Sequence, residues 1–370
     1  MMNLKTTRPV LEFSEHVEEL MGGLSAVLLI GEDLWVACDE LTSLERLTLR
    51  DDELFNAQRS FELQGLINLP AAGKQKVDQE IDIEGLDFED GYLWLVGSHS
   101  IKRKNVSVKK DRNDADDKNI NKLSKTETEG NRFLLARVPL IQDSQTGEAI
   151  LMKASHDGAL KAAQLDGTLS DDALTRAILE ADEDGLPDLH LSPWLALPGK
   201  DNGLDIEGLA VSSGRVYLGL RGPVLRGWAV VLELHLEDGD SQQLRLKRIG
   251  PKGRAYRKHF LNLGGLGVRD LCINGQDLLV LAGPTMTHDG PTQVFRWKDA
   301  LKENQEAMVW PDEFMGPGLS IQHGIGEDRA EGISLMADTN PQSILVVYDA
   351  PSADRKVGDR AVRADVFELS

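Results

Sequence analysis

Residues 205–229 read DIEGLAVSSGRVYLGLRGPVLRGWA, and the first half of this stretch decides the fold. A Glu-Gly-Leu step at 207–209 leads into one apolar run, and a Ser-Gly pair at 213–214 separates it from a second run at 216–220. Short apolar runs of this kind are typical of pleated, largely buried strands, and a Gly-containing pair between two of them indicates a tight turn. The stretch therefore predicts a β-hairpin.

The same pattern recurs along the chain. It stands at 82–100 (DIEGLDFEDGYLWLVGSHS), 267–285 (GVRDLCINGQDLLVLAGPT) and 330–351 (AEGISLMADTNPQSILVVYDAP), with a weaker copy at 22–40 (GGLSAVLLIGEDLWVACDE). The equivalent residues Gly22, Glu84, Glu207, Arg269 and Glu331 are separated by 62, 123, 62 and 62 residues. A hairpin repeated at a fixed period predicts an all-β fold, and short strands throughout favour a five-bladed β-propeller.

The doubled interval contains two segments that break the pattern. Residues 102–130 are rich in both charges and poor in large apolar residues, which predicts a long, mobile polar loop. Residues 170–185 show apolar spacing of helical period, with Ser170 as N-cap and Gly185 as the end, and predict one inserted helix. The alternative is a sixth, eroded blade near 141–200, where residues 189–197 are the one convincing strand.

Both ends of the chain carry a short apolar run, RPVLEF at 8–13 and ADVFEL at 364–369. Closed propellers commonly complete their last blade with a strand from the opposite terminus, because this removes an open sheet edge. We therefore expect residues 8–13 to close the last blade. The whole chain, 1–370, would form one domain with blades starting near residues 22, 82, 205, 267 and 330.

The composition limits partners and location. Lys and Arg number 41 against 61 Asp and Glu, and the formal charge of −20 argues against nucleic acid and anionic membranes as partners. Cys38 and Cys272 lie in apolar runs and offer neither a disulfide framework nor a thiolate metal site. The first twenty residues lack the apolar core of a signal peptide, which predicts a cytoplasmic protein.

The repeated step predicts an acidic channel mouth. The first strand of every propeller blade lines the central channel, so the residues that open these strands converge. Converging carboxylates need protons, cations or hydrogen-bond donors to compensate them. Ca²⁺ is the simplest compensator because it accepts about six to eight oxygens in loose geometry, whereas Mg²⁺ demands an octahedral site. The predicted metal ligands are Asp82, Glu84, Asp205, Glu207 and Glu331.

A second interpretation gives the repeated glutamates a packing role. Each could accept hydrogen bonds from the backbone of the next blade, while the following glycine permits close approach. A packing device recurs in every unit, whereas a catalytic residue is needed once. Asp82 and Asp205 occur in only two copies and are therefore stronger site candidates than the glutamates.

The second half of the opening stretch, GLRGPVLRGWA, occurs once. Arg221 and Arg226 flank turn-forming residues, and two arginines on such a loop suit the recognition of phosphate or carboxylate. Arg269 adds a third cation where other copies carry Glu. Alternatively, Arg221 and Arg226 neutralise Asp205 and Glu207 and hold the interface between blades.

His99 follows the second strand of its hairpin and is a further ligand-binding candidate, able to act as acid or base near neutral pH. The sequence contains no GxSxG, P-loop or dinucleotide-binding motif. A serine hydrolase with a nucleophile elbow is therefore not indicated.

DIEGLAV and GLRGPVLRGWAVVLEL, with the later GVRDL and AEGISL, resemble a family of bacterial proteins classified only as a domain of unknown function. The resemblance covers most of the chain from about Gly22 onward and implies a β-propeller. More distantly, the EGL-strand pattern is similar to that of phytase-like esterase propellers, whose reaction is phosphoester hydrolysis.

Two functions fit these observations. The first is a metal-dependent hydrolase of a phosphorylated or anionic small molecule, with Asp205, Glu207, Glu84 and Arg221 as catalytic residues and Arg221, Arg226, Arg269 and His99 as ligand-binding residues. The second is a non-catalytic scaffold that binds a ligand or another protein.

Overall fold

The computed structural model describes residues 5–51, 53–71, 80–106, 115–314, 318–336 and 341–369. In these residues the chain is all-β, with three short α-helices, which confirms the predicted class. None of the described helices has the length and apolar character needed to cross a membrane.

The strands are short and follow one another closely. From the N-terminus they are β1 (Lys5–Thr7), β2 (Val10–Glu12), β3 (Ala26–Ile30), β4 (Asp33–Ala37), β5 (Ser43–Asp51), β6 (Leu54–Glu62), β7 (Ile83–Glu89), β8 (Tyr92–Gly97), β9 (Lys102–Arg103), β10 (Thr126–Glu127), β11 (Leu135–Gln142), β12 (Ala149–Leu151), β13 (Ala163–Leu165) and β14 (Asp205–Ser212). They continue with β15 (Arg215–Leu225), β16 (Trp228–Asp238), β17 (Gln243–Leu246), β18 (Arg257–Leu261), β19 (Gly267–Asn274), β20 (Asp277–Gly283), β21 (Thr292–Trp297), β22 (Ala307–Val309), β23 (Leu319–Ile321), β24 (Arg329–Met336), β25 (Ser343–Asp349), β26 (Lys356–Val357), β27 (Ala361–Arg363) and β28 (Asp365–Glu368). The helices are α1 (Val17–Gly22), α2 (Ala115–Leu123) and α3 (Ala173–Leu179).

Each copy of the repeated pattern forms an antiparallel hairpin, namely β3–β4, β7–β8, β14–β15, β19–β20 and β24–β25. In the turn between β14 and β15, Ser213 and Gly214 have φ angles of 55° and 72°. Asp90 and Gly91, between β7 and β8, have 52° and 80°. Two consecutive positive φ angles define a type I′ turn, which favours Gly and small polar residues and matches the twist of the strands. These dipeptides therefore fix the hairpins locally.

Every hairpin begins an antiparallel sheet. A third strand pairs with the second strand of each hairpin, in the combinations β4 with β5, β8 with β11, β15 with β16, β20 with β21 and β25 with β28. Residues 141–200, which a sixth blade would require, contribute β12 and β13, and both pair with β11 of the second sheet. β13 also pairs with β17, which joins the second and third sheets at their outer strands.

The first strands of the hairpins pack in a closed cycle, β3 against β7, β7 against β14, β14 against β19, β19 against β24 and β24 against β3. This is a propeller-type arrangement. Glycines of the repeated step lie where neighbouring strands approach most closely. A Cβ added to Gly85 would lie 2.6 Å from Leu209 Cβ, and one added to Gly208 would lie 2.9 Å from Leu271 Cγ. Both distances are shorter than ordinary apolar contact, so the packing requires glycine.

Buried aspartates add hydrogen bonds between neighbouring first strands. Asp87 on β7 accepts from the backbone N–H of Val211 at 2.5 Å, and Asp270 on β19 accepts from that of Ile333 at 2.8 Å. Burial raises the pKa of Asp87 to about 7 and that of Asp270 well above its usual range. These aspartates, rather than the repeated glutamates, accept hydrogen bonds from the backbone of the next first strand.

The N-terminal strand differs from its prediction. β2, within the predicted strand 8–13, pairs with β6 and β27 at the outer side of the first sheet. β1 instead pairs with β28 in the sheet of the last hairpin. The prediction that residues 8–13 close the last blade is therefore wrong. The chain passes between sheets at Pro9, which has no N–H for a strand ladder.

The predicted inserted helix is present but shorter than expected. α3 spans Ala173–Leu179 within the predicted 170–185, and Asp172 rather than Ser170 is its N-cap. Asp172 Oδ1 accepts from the backbone N–H of Thr175 at 2.8 Å, and Thr175 Oγ1 accepts from that of Asp172 at 2.8 Å. This reciprocal capping box satisfies two N–H groups at the helix start, which Ser170 could not do from its position.

Two other segments also differ. The predicted loop at 102–130 contains the β9–β10 ribbon and α2, although residues 107–114 lie outside the described residues. The predicted strand at 189–197 is a 3₁₀ turn, Ser192–Trp194, in which Pro193 suits the start of a helical turn and disfavours a strand.

We predict that Gly208→Ala destabilises the protein by about 1–3 kcal/mol, because the new methyl group overpacks the contact between β14 and β19. Gly65→Ala is the matched control, since a Cβ there meets no atom within 4 Å. Urea unfolding monitored by circular dichroism measures both. Equal effects of the two substitutions would contradict the close-packing role of Gly208.

Candidate functional site

A cavity of about 430 Å³ opens at the mouth of the ring of first strands. The structure brings together six of the predicted site residues in its lining, which are Asp82, Glu84, Asp205, Glu207, Arg221 and Glu331. Further carboxylates in the lining are Asp39, Glu40, Glu80, Asp201 and Asp349. Among the described lining residues, carboxylates therefore outnumber the Lys and Arg side chains.

β-Bulges place the central side chains. The strand register shifts between Ile83 and Gly85, and equivalent shifts occur at Glu207, Arg269 and Glu331. A bulge leaves one residue out of the hydrogen-bond ladder and redirects its side chain. The repeated step thus contains an unpaired charged residue, followed in three of the copies by the glycine that allows close packing.

Arg221 compensates two carboxylates of the third sheet. Its Nη2 donates to Asp205 Oδ2, and its Nη1 lies 2.7 Å from Glu207 Oε1. All three side chains are buried. The interpretation that Arg221 neutralises Asp205 and Glu207 therefore fits the geometry, and the guanidinium is already engaged by carboxylates.

Arg269 joins the third and fifth sheets through charge. Its Nη1 lies 3.1 Å from Glu207 Oε2 and 2.7 Å from Glu331 Oε1, and its Nη2 donates to the carbonyl of Pro284 at 3.0 Å. The single Arg among the equivalent positions thus bridges its two acidic neighbours in the ring.

Arg132 is a member of the site that sequence reasoning missed. It forms ion pairs with Asp82, with Glu80 at 3.1 Å and with Glu129 at 3.0 Å, and its side chain is 5% exposed. Arg132 ends a 3₁₀ turn just before β11, outside the repeated hairpin. The repeat therefore offers no signal for it, because the residue arrives from a later part of the chain.

Among the described residues, Glu84 is the one repeated glutamate without such a partner, although Asp39 and Glu40 of the lining also form no ion pair. No Lys or Arg of the described chain lies within 4.0 Å of it, and no described group donates a hydrogen bond to it. Partial burial, together with the charges of Asp82, Glu207 and Glu331, raises the pKa of Glu84 well above its usual range. Glu84 therefore favours a proton, or another cation, at this place.

The neighbouring carboxyl groups shift in the same direction. Burial raises the pKa of Glu331 to about 8, although Arg269 opposes the shift. Burial also raises the pKa values of Asp82 and Asp205, against the opposing effects of Arg132 and Arg221. Of these groups, Glu331 therefore exchanges its proton close to neutral pH.

The predicted packing role of the glutamates is not seen. Among the described residues, no backbone N–H donates to Glu84, Glu207 or Glu331. The physical reason is the bulge, which directs these side chains into the cavity while the following glycine makes the contact between strands.

His99 and Arg226 lie away from the cavity lining. His99 is buried, its Nε2 lies 2.8 Å from Asp172 Oδ2 and its Nδ1 lies 2.8 Å from the carbonyl of Gly97. It therefore anchors the N-terminus of α3 to the second sheet. Arg226, with a φ of 52°, is exposed in the turn between β15 and β16.

The predicted metal ligands do not form a metal centre in this arrangement. The described residues contain no group of three or more His, Cys, Asp or Glu side chains placed to hold a metal ion. Arginines compensate Asp82, Asp205, Glu207 and Glu331 instead. The residues present therefore do not fit a preformed Ca²⁺ or Mg²⁺ site.

One wall of the cavity comes from the segment that follows β8. Residues 101–106 and Leu123 line it, where Leu123 is the last residue of α2. Arg103 holds this wall to the opposite rim, with its Nε 2.7 Å from Asp201 Oδ2. Ile101, Val106 and Leu123 make this side of the cavity partly apolar.

The fold and the cavity define an all-β, propeller-type protein with an acidic cavity at its centre. The chain belongs to a family of proteins of unknown function (DUF3616), whose model matches residues 23–365. This confirms the resemblance noted from the DIEGL and GLRGPVLRGWA motifs. No curated protein matches the chain.

Solved structures resemble the chain only distantly. PQQ-bound aldose sugar dehydrogenase from Streptomyces coelicolor has 11% identity and a TM-score of 0.38, with 98% of this chain and 99% of that chain covered. Myxococcus xanthus glutaminyl cyclase has 10% identity and a TM-score of 0.38, with 98% of each chain covered. A streptogramin B lyase has 10% identity and a TM-score of 0.35, also with 98% of each covered. These values carry no activity over to this chain.

We predict that His99→Gln destabilises the protein by about 3–5 kcal/mol at pH 6, because it removes one partner of a buried ion pair. Asp172 raises the pKa of His99 above 6.5 in the folded state, against the effect of burial. The stabilisation is thus fully present below pH 6.5 and declines as the pH rises through the folded pKa. Urea unfolding from pH 5.5 to 9 measures the difference in unfolding free energy between the wild type and the variant, with the exposed His156→Gln as control. A difference that grows as the pH rises would contradict an ion pair between His99 and Asp172.

Proposed function

We propose that the cavity binds a small molecule through a cationic group, such as a primary amine, at Glu84. The observation that supports this most directly is that Glu84 has no Lys or Arg within 4.0 Å in the described part of the chain, while Asp82, Glu207 and Glu331 are paired with arginines. An isolated carboxylate in a partly buried acidic cavity is costly, and a bound cation lowers that cost.

The overall charge of the cavity supports the same conclusion. Among the described lining residues, ten carry carboxylates and six are Lys or Arg, which gives a formal charge of −4. An anionic ligand bound at Arg221 or Arg269, as expected from the sequence, would have to displace the carboxylates that these arginines contact. A cationic ligand needs no such exchange, so charge complementarity favours it.

We also infer that the propeller has five blades. The closed cycle of five first strands supports this number, as does the way β12 and β13 extend the second sheet. A five-bladed ring would bring Glu84, Glu207, Arg269 and Glu331 around one axis, with the first blade contributing Asp39.

The alternative is the metal-dependent phosphoester hydrolase. The raised pKa of Glu331, about 8, favours a carboxylic acid able to donate a proton near neutral pH, in the same cavity as the salt bridge between Glu207 and Arg221. We place this alternative second because the described residues do not fit a preformed metal site.

Calorimetric titration at pH 8 tests the proposal with n-butylamine, n-butanol, inorganic phosphate and Ca²⁺ as probes. We expect the amine to bind and Glu84→Gln to weaken it by about tenfold or more, since a charged contact contributes about 1.5–3 kcal/mol. Glu237→Gln, which changes an exposed glutamate on β16, is the matched control.

Phosphate or Ca²⁺ binding without amine binding would overturn the proposal and favour an anionic ligand or a metal. A screen of esters and phosphoesters, with and without Ca²⁺ and Mg²⁺, on the wild type and Glu207→Gln addresses the hydrolase. If the wild type turns over one of these substrates and a folded Glu207→Gln variant does not, the protein is a hydrolase and the binding proposal is wrong.

Amine binding should strengthen as the pH rises from 6 to 9. The pKa of Glu331 is about 8 and that of Glu84 lies well above its usual range, so protonation opposes cation binding at the lower pH values, because only the ionised carboxylates attract a cation. Titrations in buffers of different ionisation enthalpy measure the affinity and the protons released. An affinity independent of pH over this range would contradict the role of these carboxyl groups.

A further inference from the structure

We propose that the segment over the cavity, here called the arm (residues 101–106 and 115–129), selects ligands that carry one cationic group on an apolar body. This inference rests on the proposed function, because it specifies the class of amine that the cavity binds. It assigns Val106 and Leu123 as specificity-determining residues.

The first step is the position of the arm. Arg103 Nε lies 2.7 Å from Asp201 Oδ2, and Arg103 also donates to the carbonyl of Leu123. The backbone N–H of Gly199 donates to the carbonyl of Ile101 at 3.1 Å. These contacts tie the arm, which follows the second sheet, to the loop before β14, so that it forms a wall of the cavity.

The second step is the chemistry of that wall. Val106 and Leu123 are 46% and 49% exposed, and both line the cavity. Half-exposed aliphatic side chains beside an acidic site gain free energy when an apolar ligand covers them. A ligand whose cation reaches Glu84 would lay its remaining length against this wall.

The third step is the charge near the arm. Three carboxylates beside the arm's basic residues are already paired: Asp201 contacts Arg103, Glu129 lies 3.1 Å from Lys102, and Glu127 lies 2.5 Å from Lys104. A second ammonium group at the far end of a ligand would have to compete with these cations for the three carboxylates. The arm therefore favours a monoamine over a diamine of the same length.

The test compares straight-chain monoamines from methylamine to n-octylamine, together with 1,6-diaminohexane, by calorimetric titration of the full chain at pH 8. We expect affinity to rise up to about fourfold for each methylene that the wall covers. We also expect n-hexylamine to bind more tightly than 1,6-diaminohexane.

Leu123→Ala and Val106→Ala should flatten the dependence on chain length, so that the ratio of n-octylamine affinity to methylamine affinity falls. Ile120→Ala is the matched control, because Ile120 lies on the same helix, is 66% exposed and does not line the cavity. Circular dichroism of each variant checks that the fold is retained.

The outcomes separate the two proposals. Amine binding that depends on Glu84 but not on chain length, or a length dependence that Leu123→Ala and Ile120→Ala change equally, overturns the role of the arm and leaves the proposed function standing. A preference for the diamine also overturns it. Absence of any amine binding, or binding unaffected by Glu84→Gln, overturns the proposed function and the inference with it.

Discussion

The contact between neighbouring first strands is the constraint on which the rest of the structure depends. At Gly85, Gly208 and Gly332 a Cβ would lie 2.6 to 3.1 Å from atoms of the next first strand, so only glycine permits this approach. Close approach of each strand to its neighbour lets the cycle close. A closed cycle then forces the residue before each glycine towards a common axis, and the β-bulge at this position turns its side chain into the cavity. The charged residue and the glycine of the repeated step thus have separate roles: the glycine allows neighbouring strands to pack, and the charged residue enters the cavity.

Convergence of like charges creates the second constraint. Three arginines reach the carboxylates from different parts of the chain: Arg221 from the second strand of a hairpin, Arg269 from a bulge and Arg132 from the segment before β11. Each is largely buried, so its loss would leave unpaired charge in a poorly solvated place. In the described part of the chain, no arginine or lysine contacts Glu84 in this way. Ionised Glu84 is therefore destabilised by its surroundings, and a cation that binds there would stabilise it.

Much of the fold could be predicted from the sequence because its signals are local. A Ser-Gly or Asp-Gly pair between apolar runs defines a hairpin within about ten residues, and the repeat multiplies that signal. The features that could not be predicted depend on distant partners. The sequence places His99 in a loop, whereas its side chain is buried and contacts Asp172, which lies in an inserted segment. Arg132 has no repeat to indicate it, and β2 joins the first sheet by pairing with β6 and β27, which lie far from it in the sequence. The charged composition of residues 102–130 predicts a loop, whereas the short β9–β10 ribbon there is held by ion pairs rather than by an apolar core.

The fourth copy of the repeated step explains how one ring can tolerate both a closed packing and a dense set of acids. Arg269 and Asp270 stand there in place of Glu and Gly. Where the other copies have a glycine that allows close packing, Asp270 accepts a hydrogen bond from the backbone N–H of Ile333. Burial raises the pKa of Asp270 well above its usual range. Arg269, one residue earlier, bridges Glu207 and Glu331. A glutamate at 269 would instead place three adjacent carboxylates in a row and remove the cation that two of them share. The departure from the repeat therefore compensates two of the converging carboxylates. Glu84 takes no part in this bridge, so it is the position at which we propose that a cationic ligand binds.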